Sequence, residues 1–172
     1  GKITKEELAA LEERSETEKD IMGGLLQGVD VKPGDLWLIK AGLIHAIGAG
    51  CTIIEVQEPT DFTIQPERWC GDYHISYEEE YIGLTKDTAL DAINYDIYGA
   101  AAQAYARVQP TVAADTPTYK KEVLISYEDT PCFGENRHTL RRGGSFVMDY
   151  APSVYICLEG EAVITGEGYE KP

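Results

Sequence analysis

Apolar positions along this chain change their period twice. At the start they recur at helical spacing, with Leu8 and Leu11 following Thr4-Lys5-Glu6-Glu7, and then Ile21, Met22, Leu25 and Leu26. The Thr4-to-Glu7 spacing is a capping box, in which the threonine oxygen accepts from the backbone three residues on and the glutamate reaches back. The pattern predicts a helix over 4–13 and a second apolar stripe after Ser15, the latter weakened by Gly23-Gly24 because glycine raises the backbone entropy cost. From Val29 to Ile82 the runs shorten and alternate with turns, as in a β-sandwich or barrel, and predict strands over 36–40, 44–47, 52–57 and 62–65. Helical spacing returns from Asp87 to about Tyr95, with Leu90 and Ile93 on one face. Residues 99–117 carry alanines, Pro110 and Pro117 and read as a connector. A second β region begins near Tyr119, with strands expected over 122–127, 137–140, 145–148 and 154–158, and with 161–165 pairing back after Gly160. The expectation is an all-β chain with helical insertions, divided at 1–28, 29–84, 85–117 and 118–172.

Within the first β region, Lys32-Pro33-Gly34-Asp35 turns the chain into the apolar run Leu36–Ile39, and Gly42 breaks the run before His45. An imidazole set among Leu43, Ile44, Ala46 and Ile47 must find partners for both ring nitrogens. A core hydrogen-bond partner or a metal ion each satisfies that need. Glu55 lies inside the apolar run Ile53, Ile54, Val56, where an unpaired carboxylate is costly, unless it points outward from an alternating strand. Asp61 follows Pro59-Thr60, a position that suits either a turn cap or a pocket group. Lys40, His74 and His138 have no motif around them.

Net charge changes the picture by exclusion. At -15, the surface repels a phosphate backbone, so nucleic acid is not an expected partner, and an anionic ligand needs a locally basic pocket. Cys51, Cys70, Cys132 and Cys157 are scattered without a CxxC pair and read as reduced thiols. The charged stretch Lys2–Lys19 is unlike a signal peptide, and no apolar run approaches membrane-spanning length, so a cytoplasmic location with no membrane partner is expected. The absence of an initiator methionine and the stop just after an expected hairpin suggest an internal fragment of a longer protein.

Gly34, Gly42 and His45 fall where the second cupin motif places its glycines and its metal-binding histidine. The continuation Ile53-Ile54-Glu55-Val56-Gln57-Glu58-Pro59-Thr60-Asp61 resembles the segment after that histidine in type I mannose-6-phosphate isomerases. The match is good over roughly residues 1–100 and loose beyond, and the run Val154–Ile164 resembles the first half of another cupin barrel. Lys40 departs from the motif's proline and Ala49 from its frequent asparagine. The resemblance implies the back part of one cupin jelly-roll barrel, a linker, and the front part of a second. It implies His45 as a ligand of Zn(2+), projecting into the barrel, with the other ligands upstream of Gly1. It places Glu55 and Asp61, six positions apart, at the substrate. The family's substrate arginine is replaced by Gln65, and Arg68 is the nearest arginine to take its task. The activity implied is interconversion of mannose 6-phosphate and fructose 6-phosphate, with a sugar phosphate as the partner. The alternative is a non-catalytic cupin module that binds a sugar or sugar phosphate, which the Gln65 replacement favours.

Overall fold

The computed structural model describes residues 1–59, 62–148, 152–166 and 168–171. Its first element is the helix that the capping box announces. Helix α1 runs Lys5–Ser15; Thr4 accepts from the Glu7 amide at 3.2 Å and the Glu7 carboxylate accepts from the Thr4 amide at 2.9 Å. Leu8, Glu12 and Ser15 form its buried stripe, spaced four and three residues apart so that they share one face. Leu8 packs with Met22 and Leu90 in the buried apolar cluster, joined by Ile3, Leu11, Ile21, Leu25, Ile44 and Ile93. Where a second helix is expected after Ser15, only a short 3-10 turn, Met22–Leu25, forms. The glycine pair explains the loss, because it removes propensity from the middle of the stripe.

Two short helices complete the packing partner of α1. Helix α2, Tyr77–Tyr81, begins on a second capping box between Ser76 and Glu79, and helix α3, Lys86–Asp91, begins on Thr85. Between them Ile82 takes a left-handed conformation at φ 50. Lys5 ties α1 to α3 through contacts of 2.6 Å to both Asp87 and Asp91, and these hydrogen bonds raise the lysine pKa. The third helix was expected over 87–95 and ends earlier, at Asp91, where the chain turns to Asn94. Asn94 donates to the Gly42 carbonyl at 2.9 Å. Gly42 adopts φ +81, and a Cβ there would lie 2.8 Å from the Ala92 carbonyl oxygen. Glycine is therefore required twice over, for the conformation and for the close approach.

The strands are short. β1, Leu36–Trp37, pairs antiparallel with β4, Arg107–Val108; β2, Trp69–Cys70, forms a hairpin with β3, Tyr73–His74. Helix α4, Gly99–Ala106, leads into β4, and β5 follows at Thr111–Asp115. The stretch expected as a connector is therefore a helix and two strands. Its alanines are strong helix formers, and Pro110 merely separates the strands. The largest sheet is β5–β6–β7, with β6 at Tyr119–Ile125 and β7 at Glu135–Leu140, both close to expectation. β8, Ile164–Gly166, pairs with β9, Tyr169–Lys171, rather than with 154–158. Among the described residues no sheet closes into a barrel.

Strands expected over 44–47, 52–57, 62–65, 145–148 and 154–158 are irregular. Most of their apolar side chains face solvent, with Ile54 51% and Val154 88% exposed, although Ile44 packs against the Leu8 cluster and Phe146 stacks on Tyr119 and His138. The physical reason is pairing: a run of β-prone residues becomes a strand only beside another strand's unpaired N–H and C=O groups. Among the described residues no strand pairs with these runs. The chain is thus mostly short strands in small sheets, with helices at the front.

Two stability outcomes follow. Leu8→Ala or Leu90→Ala is expected to lower unfolding free energy by about 2–5 kcal/mol, whereas Val147→Ala, at a solvent-facing position, stays within about 0.5 kcal/mol, as urea titration would read. Glu122 of β6 is held by Arg137 and Lys120, each at 2.9 Å, and hydrogen bonds from both push its pKa down to about 2. A depressed carboxylate stabilises the fold above its unfolded pKa and releases that stability as pH falls through the folded one. Thermal melts are therefore expected to fall between about pH 4.5 and pH 2, and Glu122→Gln to flatten that limb.

Candidate functional site

The turn at Gly42 sets the direction of the chain into His45. Leu43 donates to the Lys40 carbonyl at 3.1 Å and closes that turn. The Leu43 carbonyl then lies 3.0 Å from His45 Nδ1. A carbonyl only accepts, so this contact assigns a proton to Nδ1; in the neutral ring Nε2 then keeps the lone pair, the arrangement in which imidazole binds a metal. His45 itself is exposed and sits on an irregular stretch rather than a barrel wall. The inward projection expected of it depends on neighbouring strands that the described residues do not provide. Glu55 lies on the same irregular, exposed stretch. Asp61 lies outside the described residues.

Arg68 stands elsewhere, in the seat of α1. Its side chain is 16% exposed and pairs with Glu16 through one terminal nitrogen, while Nε stands 2.9 Å from Glu80 Oε2. Arg68 is committed to Glu16 and Glu80 and His45 to the Leu43 carbonyl, so these interactions join neither residue to the other, and Glu55 lies ten positions beyond His45 on the same irregular stretch.

Whether these residues fit a zinc ion is a question of donor number. A catalytic zinc site takes three protein ligands and keeps one position open. Among the described residues no three His, Cys, Asp or Glu side chains gather for a metal. His45 has the tautomer for one bond; the described chain does not assemble the set around it.

The cluster that sequence reading missed is the buried one. Glu12, Glu80 and Tyr81 have no exposure, and Tyr81 donates to Glu12 Oε2 at 2.9 Å. Lys86 approaches the same oxygen at 3.4 Å. Burial pushes Glu80 up to about 7, against the pull of Arg68 and with the push of Glu12, and burial also raises Glu12. One signal was available: Glu12 lies four residues after Leu8, on the stripe that the helical period buries. Glu80 had none, because it follows Glu78 and Glu79 and only the fold distinguishes the three.

Comparison with known proteins gives one part-length likeness. Over 60 residues the chain is 43% identical to mannose-6-phosphate isomerase ManA of Bacillus subtilis (strain 168). That stretch is 35% of this chain and 18% of the relative, so the match spans less than a fifth of the relative's length. No protein-family profile and no solved structure matches. No helix among the described residues is long and apolar enough to cross a membrane.

Proposed function

We propose that this chain is part of a metal-dependent aldose–ketose isomerase acting on mannose 6-phosphate and fructose 6-phosphate. The observation that carries the reading is the 43% identity over 60 residues to a protein named for that activity. The tautomer of His45, with Nε2 left as the acceptor, supports its part as a zinc ligand. The remaining donors belong to a longer polypeptide that includes this sequence. Zinc bound there would supply a Lewis acid for the sugar oxygens. Glu55 and Asp61 are the acidic groups assigned to the substrate pocket. Arg68 is assigned to the substrate's anionic end. Its pairing partner Glu16 is 55% exposed and can be exchanged for a phosphate, while Glu80 keeps hold of the guanidinium from behind.

A second reading is a non-catalytic cupin module that binds a sugar or sugar phosphate. It is favoured by Gln65, which stands where the resemblance expects an arginine, and by the commitment of Arg68 to two carboxylates.

The deciding measurement uses the longer chain containing this sequence. Formation of fructose 6-phosphate is expected, with loss of turnover on chelation. His45→Ala should reduce bound zinc from about one per chain to near none and turnover by at least about a hundredfold. Unchanged zinc content in that variant would sink the metal assignment. Sugar-phosphate binding by calorimetry without turnover in the unaltered chain would establish the second reading instead. The 172-residue chain alone is expected to show no turnover, since the described residues gather only part of a ligand set.

A further inference from the structure

Helix α1 is seated on the segment 67–81 through ionisable groups rather than through hydrocarbon alone. Glu12 comes from α1 and Glu80 from α2; both are fully buried, and the Tyr81 side chain interacts with each. Arg68 stands against Glu80 and Lys86 of α3 against Glu12; beyond these cations lie Glu16, with His74 of β3 near it, and Glu13, while the neighbouring Glu67 accepts from the Met22 amide. Tyr95 lies within electrostatic reach of Glu12, and the Tyr77 ring packs edge-on against Tyr81 at 4.6 Å. Arg68 serves Glu80 and Glu16, and Lys86 serves Glu12 and Glu13. Four carboxylates therefore share two cations. His74 Nε2 is 3.9 Å from Glu16, too far to hydrogen-bond.

Donors are short as well as charge. Oε1 of Glu12 and both oxygens of Glu80 receive no aligned hydrogen bond from the described residues, although Arg68 Nε is near one of them. A buried carboxylate in that position is relieved by a proton, which removes a charge and adds a donor in one step. Two such groups within electrostatic reach of one another titrate as a pair.

We propose that Glu12 and Glu80 form a proton-operated latch: a proton carried by one of the two buried carboxyls keeps α1 seated on 67–81, and its loss loosens the seat. The direction follows from linkage. Both groups are raised above the unfolded value of 4.5, Glu80 to about 7, so the folded chain binds more protons than the unfolded chain between those limits. The latch's contribution to stability is then fully present below about pH 4.5 and declines as pH rises through about 7, levelling above it.

Trp69 reports on the joint, because its indole nitrogen donates to the Ser15 carbonyl at 2.7 Å. The experiment uses the full chain carrying Trp37→Phe, so that Trp69 alone emits, and follows urea unfolding at pH 5 and pH 8. The folded-to-unfolded ratio is expected to drop roughly tenfold to a hundredfold between the two pH values. Glu80→Gln should remove most of that drop and His74→Gln should preserve it. A ratio independent of pH, or a drop that survives in the Glu12→Gln, Glu80→Gln double variant, would overturn the latch. Should Glu80→Gln not fold, carboxyl-carbon NMR of the unsubstituted chain decides. A glutamate titrating near pH 7 supports the proposal, and all glutamates titrating near their ordinary value refute it.

Discussion

Hiding Leu8, Glu12 and Ser15 on a single helical stripe is the constraint around which the front half of this chain is arranged. Leu8 gains from burial in the ordinary apolar way, by leaving water beside Met22 and Leu90. Glu12 cannot leave water without compensation, and it sits one turn further along the same face. Every neighbouring element supplies something in response. Tyr81 gives a hydroxyl, Lys86 a cation, and Arg68 a guanidinium that also answers Glu80. The capping residues Ser76 and Thr85 set where α2 and α3 begin, and thereby where those groups stand.

The same seat reaches toward the histidine segment. Gly42 meets the end of α3 so closely that no side chain fits between them, and Asn94 locks the contact. The position of the turn before His45 is therefore inherited from α3, which is itself held by Lys5 of α1. Beyond His45 this support ends. The apolar runs over 46–57 and 154–158 stay irregular and exposed, since β-structure is stabilised across strands and no described strand pairs with them. A site built on such a segment needs neighbours to give it a fixed shape, which is why the part-length likeness to an isomerase supports a proposal about a longer chain.

Local signals in the sequence determined the start of α1, through Thr4 and Glu7, and the apolar faces of α1 and α3, through the spacing of Leu8, Leu11 and Leu90. They also placed β6 and β7 within a few residues, and the break at Gly42. The helix start and the apolar faces rest on interactions between residues close in the chain, and the strands and the glycine turn on local propensity, so spacing and residue type alone reveal them. Tertiary structure decided the rest. It left the 44–47 and 52–57 runs without a strand partner and His45 exposed. It also chose Glu80 over its two neighbours for burial and brought it to Glu12, sixty-eight positions away. Strand pairing and the burial of charge depend on which distant segment arrives alongside, and no local pattern of side chains encodes that arrival.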